Sequence, residues 1–320
     1  MRPNIAVSVG DPNGVGLEIL LRSHAEVLRR CEPLYLVHYE TALEAAERLG
    51  LSLPEPFPHT APETLPCPIR PGLVDADAGR YSFASFQKGV ELVREGRCDA
   101  LVTLPIHKEA WSLAGVPYKG HTDALRSIFG KEAIMMLGYS KLWVGLYTEH
   151  IPLKEVPGAI EKERLTRFLL DFHRETGAEK IGVLGLNPHA GDHGVLGDEE
   201  ETIAAAVDAA NETLLSRTPD SESPVFEGPL VPDVAFTPKV RARYTHFVAM
   251  YHDQGLTPLK ALHFDESVNV SLNLPVVRTS VDHGTAFDIA YLPNREVNTK
   301  SYVNAVDAAI ERIKSRNQRA

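Results

Sequence analysis

The stretch KIGVLGLNPHAGDHGVLGDEEETIAAAVDAANETLLS (180–216) decides the fold class. It opens on a short, nearly unbroken apolar run at 180–187, breaks at Asn187-Pro188 into a loop bearing Gly and His, and continues at 198–216 with apolar residues at spacings of three and four. Such a run reads as a strand covered on both faces, and the spacing that follows reads as a helix. The acids of GDEEET stand in the helix's first turn, where the helix dipole favours them. Working outward, comparable apolar runs stand at 4–9, 33–39, 98–105, 143–148 and 246–251, with helical patterns at Gly16 to Arg30, Tyr81 to Glu95, Lys162 to Thr176 and Tyr302 to Arg316. This alternation predicts an α/β protein with mostly parallel sheets. At 320 residues the chain exceeds what one core usually fills, so two domains are expected. The Pro-rich stretch 53–68 and TPDSESPVFEGP (218–229) read as exposed excursions rather than linkers.

Composition narrows the partners. There are 33 basic and 43 acidic residues, a net charge of −10, and no basic run longer than two. Nucleic acid and membrane surfaces are therefore poor candidates, and an anionic substrate must be held by a few local cations and N–H groups. No apolar run approaches the roughly 20 residues of a membrane span, and the N-terminus lacks a basic, then apolar, leader. Cys31, Cys67 and Cys98 are far apart and lack CxxC spacing. They read as reduced thiols, and the chain as cytoplasmic.

Three histidines end strand-like runs: His150 in WVGLYTEHIP, His189 in IGVLGLNPHAGDHG and His252 in FVAMYHDQG. Each alone reads as a strand cap or a backbone-bonded residue. Together, at the strand ends where α/β sheets gather their ligands, they read as a catalytic metal site with open positions. Asp253 is, by proximity, either a general base or the acid that orients a bound imidazole. The turn GDPNGVGLEI (10–19) joins a strand to a helix; it lacks both the P-loop Lys and the third glycine of the dinucleotide fingerprint. It reads either as an anion site at a helix N-terminus or as a tight connection. In GHTD (120–123), Thr122 or Asp123 reads as a helix cap, and His121 as a surface residue or a ligand contact. Lys260 and Arg278 are cations suited to a phosphate, and Arg278 follows the apolar LPVV, which argues against full exposure. His193, in the same loop as His189, reads as an outer residue, since loop spacing fixes no common face.

Five segments together, GDPNGVGLEI (10–19), GHTD (120–123), NPHAGDHGVLGDEE (187–200), MYHDQGLTPLK (250–260) and VVRTSVDHGTAFDIA (276–290), resemble the signatures of the 4-hydroxythreonine-4-phosphate dehydrogenase family over nearly the whole chain. The resemblance implies an isocitrate/isopropylmalate dehydrogenase-like fold: a larger domain of 1–125 plus 256–320, a smaller one of 126–255 carrying the metal ligands and the dimer interface, and a cleft between them. It implies NAD- or NADP-dependent oxidation of 4-phosphohydroxy-L-threonine, assisted by one divalent ion (Zn, Mg or Co), to a 3-oxo acid that loses carbon dioxide to give 3-amino-2-oxopropyl phosphate. His121, Thr122, Lys260, Asn269 and Arg278 would hold the phosphorylated substrate, and HGTAFDIA (283–290), through Gly284, Thr285 and Asp288, the cofactor. The active form would be a homodimer with a shared site. Alternatives are a dehydrogenase of a four-carbon sugar acid phosphate (4-phospho-D-threonate or 4-phospho-D-erythronate) and a non-redox metallohydrolase on the same histidines. The chain departs from the family pattern at Asp123, where Glu is commoner, at His107 in PIHK, where Asn is expected, and at Tyr291, where related enzymes carry Gly.

Overall fold

The computed structural model describes residues 2–217 and 223–319. The chain divides into two compact units, one of residues up to Ala133 joined by those from Val268 onward, the other Ile134–Ser267. Borders at 125/126 and 255/256 would cut the helices His121–Phe129 and His252–His263.

In chain order the first unit supplies β1 (Asn4–Ser8), β2 (Glu32–Leu36), β3 (His59–Thr60) and β4 (Ala100–Thr103). The second supplies β5 (Ile134–Tyr139), β6 (Leu142–Leu146), β7 (Ile181–Leu184), β8 (Phe226–Leu230) and β9 (His246–Ala249). The first is then completed by β10 (Val268–Leu272) and β11 (Arg278–Val281). Its strands run in the order β3-β2-β1-β4-β11-β10, parallel except for the β10/β11 hairpin. The helices Ala76–Arg94 and Lys300–Asn317 both pack on β4. A core of Phe86, Trp111, Leu101, Ala124 and Leu125 lies beneath the first of them, with Trp111 Nε1 donating to Ser82 Oγ at 2.9 Å so that the indole is buried without an orphaned donor.

The second unit runs β5-β6-β9-β7-β8, parallel except for the β5/β6 hairpin. The helix His252–His263 lies against β5, β6 and β9. It comes so close that a Cβ on Gly255 would stand 2.6 Å from Val144 Cγ1 and 2.9 Å from Ala249 Cβ, so only glycine fits. The helix Lys162–Thr176 has the bounds its sequence pattern gives and stops at Gly177, which is left-handed as a C-terminal cap requires.

Two expectations change. The stretch 218–229 is not an exposed loop throughout: β8 begins at Phe226, which is fully buried, while 218–222 fall outside the described residues. The helix in GHTD starts at His121 with Gly120 in the cap position, ahead of both Thr122 and Asp123; Asp123 Oδ2 instead accepts the Lys119 N–H at 2.9 Å. The three cysteines are free and buried, and burial pushes the Cys31 and Cys67 thiols up to about 12. No helix among the described residues is long and apolar enough to cross a membrane.

Candidate active site

Parallel pairing determines where the second unit's histidines go. Leu146 of β6 lies beside Ala249 of β9, so the segments leaving both strands run on together. Thr148 fastens them, its Oγ1 donating to the Met250 carbonyl at 2.6 Å. His150 and His252 follow within a few residues, and their rings stand 5.6 Å apart between centroids. Next to them, Gln254 ties β9 to β7 by accepting the Met250 N–H at 2.8 Å and donating to the Gly185 carbonyl at 2.6 Å. His252 Nδ1 lies 2.6 Å from Asp253 Oδ1. With that carboxylate ionised, Nδ1 carries the proton and the Nε2 lone pair is left for a ligand, the usual arrangement of an oriented metal-binding imidazole. Of the two roles open to Asp253, this geometry suits the orienting one. His150 is 58% exposed at its side chain, as an open site needs.

His189 comes after β7 in a loop of unusual backbone. His189, Ala190, Gly191, Asp192 and His193 have φ of 55°, 51°, 78°, 43° and 57°, all left-handed. Four of these are not glycine, and each costs on the order of 1–2 kcal/mol relative to the right-handed form, so the surroundings must impose the conformation. Among the described residues, no three His, Cys, Asp or Glu side chains converge as a complete ligand set. The donors present nonetheless fit a divalent ion of the catalytic kind: two imidazoles in reach of one point, one of them backed by a carboxylate.

In the first unit, β10 and β11 place a row of polar residues on one face of the sheet. Asn269 faces Ser280 and Ser271 faces Arg278, while Thr103 of β4 stands beside Ser280. Arg278 is 2% exposed, yet its guanidinium meets only hydroxyls: Nη1 donates to Ser271 Oγ at 3.1 Å and Nη2 to Thr103 Oγ1 at 2.7 Å. Its Nε has no partner, and burial pushes the group down to about 9. Asn269 Oδ1 and His121 Nε2 are buried and unpartnered too. His121 is no surface residue: its ring sits 4.9 Å from Phe86 and 5.3 Å from Trp111. Burial, with the charge of Arg278 as a lesser cause, holds it well below the ordinary imidazole range, so it is neutral. Thr122 is buried beside it. A buried cation with an unmet N–H and, among the described residues, no carboxylate partner is the form of an anion site. Lys260 lies in the second unit, on the helix begun by His252, with Nζ 5.7 Å over the Phe264 ring.

The GDPNGVG turn proves to be a brace rather than an anion cradle. The N–H groups of Asn13, Gly14 and Val15 are taken by Asp11 Oδ1, the Asp11 carbonyl and the Thr285 carbonyl. The last bond fastens the 283–291 loop, as does Tyr291, whose hydroxyl donates to the Pro12 carbonyl at 2.9 Å. Tyr291 thus anchors the loop while adopting φ 58°. His107 stacks on Phe287 at 4.9 Å. Around this loop Asp11 Oδ2, His107 Nδ1 and His283 Nε2 are buried without partners, Gly284 opens onto free space, and Asp288 is exposed. Unmet polar atoms beside an open glycine backbone fit a cofactor with both donors and acceptors.

Sequence reasoning missed Thr103 and Ser271, which hold Arg278, and Asp11, Gln254 and Glu200. Asp11, Gln254 and Glu200 stood in segments already singled out for the family resemblance, and Thr103 and Ser271 did not.

The model of the family described as pyridoxal phosphate biosynthetic protein PdxA matches residues 18–309. The chain is 52% identical over 306 residues to the 4-hydroxythreonine-4-phosphate dehydrogenase of Sulfurimonas denitrificans, covering 96% of each, and 50% identical to that of Campylobacter fetus, covering 97% of this chain and 98% of the relative. Among solved structures, the 4-hydroxythreonine-4-phosphate dehydrogenase of Klebsiella pneumoniae superposes with a TM-score of 0.80 at 33% identity, covering 98% of each chain.

Proposed function

The chain belongs to the PdxA family of pyridoxal phosphate biosynthetic proteins, and on that premise we propose how its polar clusters divide the family's reaction between them. It is an oxidoreductase with a role in pyridoxal phosphate biosynthesis, acting on a phosphorylated substrate. The proposed reaction is NAD(P)-dependent oxidation of 4-phosphohydroxy-L-threonine at its 3-hydroxyl, followed by decarboxylation to 3-amino-2-oxopropyl phosphate. The observation that carries this reading is the buried Arg278, whose Nε has no partner and whose charge reaches the buried His121. A phosphate there accepts from the guanidinium. His121, neutral, orients by hydrogen bonding rather than by charge, and Thr122 assists it.

His150, His189 and His252 would hold a divalent cation that would polarise the substrate hydroxyl, and a nicotinamide cofactor would supply the hydride acceptor. Asp253 keeps the His252 tautomer that presents Nε2. Gly284, Thr285 and Asp288 would hold the cofactor, with the Asp11–Val15 turn keeping their loop in place. The active form is proposed to be a homodimer in which His189 of the partner subunit completes the set begun by His150 and His252. The support is that, among the described residues, these two imidazoles lie together in one chain without a third ligand beside them.

The test is NADH or NADPH formation with 4-phosphohydroxy-L-threonine, with 4-phospho-D-erythronate and with 4-phospho-D-threonate, each with and without chelator. Metal-dependent turnover confined to the amino substrate is expected. Faster turnover of a sugar acid phosphate would sink the substrate assignment, and chelator-resistant turnover the metal.

A further inference from the structure

His189 occupies a backbone that its own sequence disfavours, so something outside the loop must impose it. The helix Glu199–Arg217 begins just beyond the loop and is seated firmly, packed against the helix Lys162–Thr176 and against β8. Its second residue, Glu200, is 8% exposed and turns its carboxylate into the loop. Oε1 accepts the N–H groups of Leu186 and Asn187 at 2.8 and 2.7 Å. Oε2 accepts from Asn187 Nδ2 at 2.9 Å, and the same amide nitrogen donates to Glu199 Oε2 at 2.6 Å.

The loop wraps this carboxylate without slack. A Cβ on Gly191 would stand 2.7 Å from Glu200 Oε2, and one on Gly197 would stand 2.2 Å from Asn187 Nδ2. Gly185 is nearly as tight, 3.0 Å from Oε1. The start of the loop is therefore bonded to Glu200, and Gly191, two residues past His189, lies against the same carboxylate.

We propose that Glu200 is the positioning residue that sets the His189 loop for metal binding, with Asn187 as its bridge. A buried carboxylate that accepts three N–H bonds is rigid, and it stands on a helix rather than on the loop it shapes. Without it, Leu186 and Asn187 lose their acceptor and the left-handed run relaxes toward ordinary backbone. His189 then pays an ordering cost each time it binds. The proposal rests on the reading of His189 as a ligand, and the test separates the two.

Metal-stripped full-length protein is titrated with Co2+ alone, followed by visible absorption and calorimetry, for wild type, His189→Ala, Glu200→Ala, Glu200→Gln and Arg278→Ala. Losing an outer residue of a metal site weakens affinity about 10–100-fold, so Glu200→Ala is expected near the upper end. Glu200→Gln keeps an acceptor for the two backbone groups but meets Asn187 Nδ2 with a second donor, and about tenfold is expected. Both should alter the Co2+ absorption band, while Arg278→Ala should not. A general loss of stability would lower the melting temperature and leave the affinity and band of the folded protein unchanged. If His189→Ala loses Co2+ but both Glu200 variants bind as wild type, the positioning role is wrong and the ligand reading stands. If His189→Ala itself binds as wild type, the ligand reading falls and the proposal with it. Should Glu200→Ala fail to fold, wild-type affinity and spectrum in Glu200→Gln overturn the proposal.

Discussion

Replacing Arg278 with Met should make the unliganded protein more stable and the enzyme worse. Burial moves the guanidinium from 12.5 to about 9, a difference of 3.5 pH units, and at about 1.4 kcal/mol per unit the desolvation ceiling is about 5 kcal/mol. The hydroxyls of Thr103 and Ser271 offset part of this, and among the described residues no carboxylate is paired with the group. Replacing a buried charge with an apolar side chain of similar volume commonly stabilises by about 1–4 kcal/mol. The sign follows: the folded-state value lies below the unfolded one, so the cost is full at any pH below about 9 and is relieved only above it. In phosphate-free buffer at pH 7.5, Arg278→Met should therefore melt about 2–6 °C above wild type. Inorganic phosphate should raise the melting temperature of wild type and leave the variant unmoved, since only wild type offers the buried cation. The Michaelis constant for the phosphorylated substrate should rise about 10–150-fold, the equivalent of about 1.5–3 kcal/mol for a charge-assisted contact. Calorimetry across a phosphate series reads both effects. An Arg278→Met protein that melts below wild type without phosphate and still gains stability from it would refute the reasoning, because Arg278 would then be a structural tie and the anion would bind elsewhere.

Asp11 is raised by burial from 3.8 to about 7, with Asp75 a lesser cause, so stability should fall as pH rises from about 4 to 7. Asp11→Asn should remove that slope, giving a higher urea midpoint than wild type at pH 8 and no advantage at pH 4. For His121 the sign is opposite: its folded-state value lies well below 6.5, the unfolded chain takes up the proton first, and stability is lost as pH falls through about 6.5. His121→Gln should flatten that acid-side loss while raising the substrate Michaelis constant, and an unchanged acid limb would place the ring in water. Subunit exchange tests the shared site: His189→Ala mixed with His252→Ala should recover about a quarter of wild-type activity, one intact site in each heterodimer. His150→Ala mixed with His252→Ala should recover none, because those two rings share a chain, and the reverse pattern would reassign the partner's contribution.

The α/β alternation was legible because β1, β4, β7 and β9 are apolar on both faces, and an unbroken run of that kind has few other readings. The hairpin β10/β11 was not, for a functional reason. Asn269, Ser271, Arg278 and Ser280 alternate along it as a solvated face would, while the structure buries that face around an unmet charge. Periodicity reports which residues share a face and is silent on whether water or a ligand covers it.

The same division runs through the candidate site. His150, His189 and His252 could be singled out from sequence because each follows a strand end; that β6 and β9 are neighbours, which brings His150 and His252 together, is known from the structure. What supports them is tertiary. Glu200 was read as an acid in a helix's first turn, a sufficient account in which its carboxylate needs no other partner; its contacts to Leu186 and Asn187 reach back 14 and 13 positions across a backbone whose left-handed run no residue type at 189, 190, 192 or 193 announces. The histidines read as ligands stand just past strand ends and so leave a trace in the order of residues. Groups that hold them are chosen by what the fold brings near, and Asp11, Thr103, Gln254 and Glu200 carry no mark of that choice in their own neighbours.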